Sequence, residues 1–326
     1  MTRMLATLSI ALLLTACGSD DKPIEESFPR SLSLGDNYQA SFDMTAVVNG
    51  ISDISISIES KDGSAIPDSE QVKISPVMEM VRGMTHGTPM LKNSGTLDDE
   101  GVFTTTAYFL MPSGPEMGDW YFTVEFNGEM ETFSVDVDML MSERQMLQGH
   151  IETDKIKDMN DNDVARQYFL FNEGRHITDS MNAFTVYVAA RETMMKHTSL
   201  ISDMTLAGEM AMTMEPMSTS FDSISSREMV MAGSDYDLVI PQDGIAIEMC
   251  IADCDGSGSW KEATATADKP GQYTAIGLGL TGSNSDIINV RLSINDEIKT
   301  KGDGVTYATF TFSEDSSDTG TMNHVM

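Results

Sequence analysis

The chain has 326 residues, with 51 acidic side chains against 20 basic ones and a formal net charge of −31 at pH 7. So large a negative excess repels phosphate backbones and anionic headgroups, which excludes nucleic-acid partners and adsorption to a membrane through basic patches. Its 40% hydrophobic content argues against disorder, and at roughly 150 residues per domain the length predicts two domains.

Residues 1–16 read as a secretory signal: Arg3, an apolar run from Met4 to Leu14 too short to span a bilayer, then small residues. Leu14-Thr15-Ala16-Cys17 resembles the bacterial lipobox, which is cut just before the cysteine. That resemblance implies acyl chains on Cys17, a firm membrane anchor, and a polar tether over residues 17–30. Gly18 after the cysteine resembles the class sorted to the outer membrane. The expected location is the bacterial cell envelope, oxidising and without ATP. No Walker A or Rossmann glycine pattern occurs, so no nucleotide partner is expected.

From 31 to 141 the pattern has period two, as in half-buried strands. Tyr38, Ala40, Phe42 and Met44 alternate with polar residues, as do Ile54, Ile56 and Ile58, then Trp120, Phe122, Val124 and Phe126, then Phe133, Val135, Val137 and Met139. Asn49-Gly50, Asp62-Gly63 and Asn127-Gly128 punctuate them, the last as a hairpin turn. Residues 142–175 read as a short, partly helical connector, with Ser142–Gln148 helical and Tyr168–Phe171 entering a strand. Strand-like periodicity returns over 176–313, through Phe184, Val186 and Val188, Ile245, Ile247 and Met249, Ile276–Leu280, Ile287–Ile294 and Val305–Phe312. The tail, 314–326, is polar. The expected fold is all-β: two immunoglobulin-like sandwiches in tandem.

The chain holds 27 methionines, densest at Met78, Met80, Met84 and Met90 around His86. On a strand, Met78 and Met80 share one face about 7 Å apart, too far to close on one ion unaided. A return through Gly83 supplies Met84, His86 or Met90. Thioether with imidazole suits a soft ion of low charge, Cu(I) first, whereas zinc prefers thiolate, imidazole and carboxylate. A second cluster comprises Met194, His197, Met210, Met212 and Met214. Turned outward such ladders are sites; turned inward they fill a core, since methionine packs irregular gaps. Exposed methionines also serve as a repairable oxidant sink.

Val77–Met90, with Gly101-Val-Phe-Thr, Phe109-Leu-Met-Pro-Ser-Gly and Gly118-Asp-Trp120-Tyr-Phe-Thr-Val, resembles the YtkA-like/FixH-like β-sandwich family over residues 35–138. Those are envelope domains tied to copper handling and oxidase maturation. The resemblance implies copper without catalysis, carried by Met78, Met80, Met84 and His86, with an envelope copper protein as partner and Trp120 and Phe122 as core. The second half has no counterpart there.

Cys250 and Cys254 are the other thiols, read as a disulfide or, failing that, a thiolate metal site. In an extended strand their Cα atoms would stand about 13 Å apart, so a bond requires a turn at Ala252-Asp253. Asp253–Gly258 and Asp158–Asp163 look superficially like calcium loops. Thr264 and Phe169 stand where the bidentate glutamate belongs, which argues against calcium. Five histidines, with no HExxH pair and no GxSxG elbow, indicate no enzyme. The expected function is a lipid-anchored copper binder for tolerance or delivery. Its rivals are a non-catalytic scaffold with methionine as filler and a methionine-based oxidant scavenger.

Overall fold

The computed structural model describes residues 28–67, 69–81, 85–158, 162–178, 181–196, 217–223, 229–230, 239–240, 244–252, 254 and 259–312, and among them the chain is all-β. The N-terminal half has β1 (Arg30–Leu34), β2 (Tyr38–Met44), β3 (Ile51–Ser60), β4 (Gln71–Met80), β5 (Thr85–Gly87), β6 (Ser94–Thr96), β7 (Val102–Tyr108), β8 (Gly118–Phe126) and β9 (Glu129–Val135). One antiparallel sheet runs β1-β2-β3-β7, and β5-β4-β8-β9 lie in a second. The alternating apolar residues meet in one core. Ala40, Phe42, Ile54, Ile56 and Ile58 come from the first sheet, and Ile74, Met78, Trp120, Phe122 and Val124 from the second. Asn127 and Gly128, at φ 53° and 81°, form the two-residue turn between β8 and β9.

Residues 142–175 are themselves largely sheet. Met141–Glu143 makes one 3-10 turn, and then come β10 (Arg144–Gln148), β11 (Lys155–Lys157), β12 (Asp163–Ala165) and β13 (Gln167–Ile177). The helix expected over Ser142–Gln148 is therefore replaced by a strand. Its local spacing yields to pairing with β13, from Arg144 opposite Phe171 to Gln148 opposite Gln167. β11 and β12 pair antiparallel, the Asp158 N–H donates to the Asn162 carbonyl at 2.9 Å, and Lys155 and Lys157 hold Asp163.

The C-terminal half has β14 (Asn182–Lys196), β15 (Met217–Ser223), β16 (Met229–Val230), β17 (Val239–Ile240), β18 (Ile245–Ile251), β19 (Lys261–Glu262), β20 (Thr264–Ala265), β21 (Gln272–Ile276), β22 (Ile287–Ile294), β23 (Glu297–Ile298) and β24 (Ala308–Thr311). β13, β14 and β21 face the sheet β19-β18-β22-β23, to which β24 adds. Between them Tyr168, Leu170, Phe184, Val186 and Val188 pack on Ile247, Met249, Val290, Leu292 and Phe310. Cys250 and Cys254 are bonded, with Cα atoms 6.0 Å apart, and Ala252 takes the left-handed conformation (φ 56°) at the turn between them.

Residues 168–172 of β13 and 183–190 of β14 are buried on both faces. Phe169, Phe171, Tyr187 and Ala189 point away from the C-terminal core into a third cluster, completed by Tyr108 and Leu110 of the N-terminal half. Tyr108 stacks on Tyr187 at 3.6 Å, nearly parallel, and its hydroxyl donates to Glu173 at 2.5 Å. A near-continuous apolar run such as Phe184–Ala190 is what two-sided burial demands. The halves also share a sheet, because β15 pairs with β14 on one side and runs parallel to β5 on the other.

A buried ionic cluster ties the 149–166 segment to the C-terminal sheet. Asp154 accepts Arg166 Nε at 3.0 Å, Lys299 Nζ at 2.9 Å and the Tyr168 hydroxyl at 2.6 Å, and Lys299 also reaches Glu297 at 2.9 Å. Burial pushes the Glu297 carboxyl up, but hydrogen bonds from the Thr153 hydroxyl, the Lys299 ammonium and the His150 N–H outweigh it and bring the pKa from 4.5 to about 2. The unfolded chain binds that proton first, so the stabilisation is complete above pH 4.5 and is lost as pH falls towards about 2. Urea melts across this window should show a shallower acid loss for Glu297→Gln than for wild type. Parallel curves for the two would refute this role.

Candidate metal centre

The expected ligands can be followed through the pairing register. Met78 of β4 lies directly opposite His86 of β5 on one side and Trp120 of β8 on the other. Directly opposed residues share a face of the sheet, their Cβ atoms about 4.5–5.5 Å apart. That face is the inner one: Met78 is 0% exposed, Trp120 0% and His86 6%. Met80, two residues along and so on the same face, is half-buried against the same core at the end of β4. The neighbouring strand β5 thus adds the His86 imidazole to the face that carries Met78 and Met80.

The imidazole is held in one tautomer. His86 Nδ1 stands 2.8 Å from the Gly87 carbonyl, which can only accept, so Nδ1 carries the proton and the lone pair lies on Nε2. Burial lowers the His86 pKa. The Gly87 carbonyl partly opposes this, and the charges of Arg191 and Arg144 add to the lowering. The ring is therefore neutral near pH 7 and fit to coordinate. Those two guanidinium groups penalise a divalent ion twice as heavily as a monovalent one.

Trp120 forms the wall of this corner. Its indole meets His86 edge to face, 5.2 Å between centroids at 89°, and its Nε1 donates to the Met111 carbonyl at 2.9 Å. Phe109 packs edge-on against the other side at 5.3 Å. Gly118, paired with Met80, lets β8 approach: a Cβ there would stand 2.0 Å from the Glu79 carbonyl oxygen. Met111 and Met117 also pack, half-buried, against this core. Both come from the stretch that precedes β8.

Of the predicted ligands, the fold gathers Met78, Met80 and His86. Met90 crosses to bridge Ala107 in the opposite sheet and leaves their row. Met84 lies outside the described residues, as do Cys17, His197, Met210, Met212 and Met214. Met194 is on β14, in register with Thr219 of β15, which is in register with His86. Among the described residues no three His, Cys, Asp or Glu side chains gather as a hard or borderline ion requires. The side chains gathered on this face are two thioethers and one imidazole.

Fold and site together define a class: an all-β protein of antiparallel sheets with a thioether–imidazole corner buried at a sheet end. Comparisons with protein-family models, with characterised proteins and with solved structures found no match.

Proposed function

We propose that this chain is a lipid-anchored protein of the bacterial envelope, held at the outer membrane through Cys17 as the lipobox implies, and that it binds Cu(I) for tolerance or delivery. The observation that carries this reading is the row His86–Met78–Trp120 with Met80 beside it, two soft sulfurs and a neutral imidazole on one inner face. Such a donor set prefers Cu(I) to harder ions, and the nearby arginine charges favour the lower-valent ion. The resemblance of residues 35–138 to the YtkA-like/FixH-like envelope domains points the same way, with a second envelope copper protein as exchange partner. In this reading the halves are two immunoglobulin-like sandwiches in tandem, without catalysis.

The test is an anaerobic Cu(I) titration of the full chain against a chromophoric chelator. Met80→Leu/His86→Ala should lose at least about 100-fold in affinity, two ligands being removed, with its far-ultraviolet circular dichroism unchanged. Equal competition by both proteins removes the proposed site. A second reading has its own support: Met78, Met44, Met139 and Met249 are all buried in cores, where a thioether needs only to fill space. On that reading the chain is a non-catalytic scaffold, and Met78→Leu leaves the titration unchanged. The scavenger reading rests on Met130, Met141, Met146 and Met181, which are exposed to solvent.

A further inference from the structure

Two arginines meet at the junction of the halves without a matching anion. Phe169, Phe171, Tyr187 and Ala189 present one face of β13 and β14 to Tyr108 and Leu110. Arg144 of β10 is opposite Phe171, and Arg191 lies two residues beyond Ala189, so both belong to that face. The Arg144 guanidinium lies 5.1 Å over the Phe169 ring, and its Nε donates to the Leu110 carbonyl at 2.6 Å. A terminal nitrogen of Arg191 donates to Gln167 Oε1 at 2.9 Å. Gln167 and Phe169 are two residues apart on β13, about 7 Å, so the two cations are held over neighbouring positions. Both also act on His86, whose basicity their charges lower.

Each arginine is half-buried, and burial draws both guanidinium groups below their ordinary basicity. Among the described residues neither forms an ion pair: Asp158 acts on Arg191 only as a charge at longer range, and no acidic side chain offsets the burial of Arg144. The Nε–H of Arg191 is buried and has no hydrogen-bond partner among the described residues. Buried donors are nearly always satisfied, and one left unpaired on a charged group is the costliest kind. We infer that Arg144 and Arg191 form a binding site for a small oxyanion of the phosphate type, which accepts from Arg191 Nε–H and from the terminal nitrogens of both guanidinium groups. Two cations over adjacent positions match a dianion, and planar guanidinium forks suit its several oxygens. The inference goes beyond the copper reading and does not rest on it.

The experiment is calorimetric titration of the full, metal-free chain with inorganic phosphate in about 0.15 M chloride, where the chain's general negative charge is screened beyond about 8 Å. Wild type should bind one phosphate per chain. Arg144→Gln and Arg191→Gln should each lose about tenfold or more in affinity, one charge-assisted contact being removed. Lys73→Gln, which removes an exposed cation elsewhere, should bind as wild type. Sulfate should displace the phosphate and acetate should do so poorly; acetate competing as well as sulfate overturns the preference for a dianion. Equal binding by all four proteins, or a loss in only one of the two arginine variants, overturns the shared site. Far-ultraviolet circular dichroism separates lost binding from lost folding. If an arginine variant does not fold, wild type decides by itself: no saturable heat overturns the proposal.

Discussion

Asp154→Asn is expected to cost about 3–5 kcal/mol of stability, the penalty for removing one partner from a buried ionic group. The carboxylate is 3% exposed and serves Arg166 and Lys299, themselves 2% and 1% exposed. With its charge gone, two buried cations lose their shared anion, and among the described residues only Lys299 keeps another, Glu297. Gly149 packs directly on the carboxylate, where a Cβ would lie 2.2 Å from Asp154 Oδ2. Urea denaturation of the full chain measures the effect. Asp154→Asn/Lys299→Met should recover part of the loss, because the second change removes an unpaired charge. A cost below about 1 kcal/mol, the range of surface pairs, would show that the cluster is not what holds 149–166 to the sheet.

Gly118→Ala should be nearly as damaging and should act on the metal centre as well. Gly118 sits at φ +130°, a region that side chains rarely enter, and its missing Cβ is where the Glu79 carbonyl passes. Strain at such a dihedral costs about 1–3 kcal/mol, and the backbone collision adds to it. β8 must then separate from β4 at the Met80–Gly118 pair, which displaces Met80 and the entry to Trp120. We expect a loss of about 3 kcal/mol or more in denaturant, together with weakened Cu(I) binding. Gly128→Ala is the matched control. Its φ is also positive, at +81°, yet nothing lies within 4 Å of an added Cβ, so about 1–2 kcal/mol is expected. Equal losses for the two would mean that the close approach of β4 and β8 contributes nothing.

Much of the N-terminal half was legible in the residue pattern. The period-two runs at 40–44, 54–58 and 120–126 are the residues buried between its sheets, since a strand with one wet face must alternate. Asn127-Gly128 announced its hairpin because both residues tolerate the left-handed backbone that a two-residue turn requires. The bend at Ala252 follows from Cα spacing, as two cysteines four residues apart cannot meet across an extended strand. Met78, Met80 and His86 could be named as a group from composition and proximity alone.

Their arrangement could not. Whether Met78 faces His86 or misses it by one residue depends on how β4 and β5 align, and a slip of one residue moves every side chain to the other face. That alignment is chosen by the whole core, which is also why Met90 leaves the group and Trp120 joins it. The strand at Arg144–Gln148 has the same origin: its own residues tolerate a helix, and only the edge of β13 makes extension the better state. Burial of β13 and β14 on both faces required the Tyr108 cluster to arrive from the other half. Local sequence dictates which residues shun water and where the backbone can turn, because those are short-range properties. Which strands become neighbours is decided by contacts between residues distant along the chain, and here those contacts set His86, Met78 and Trp120 in one row.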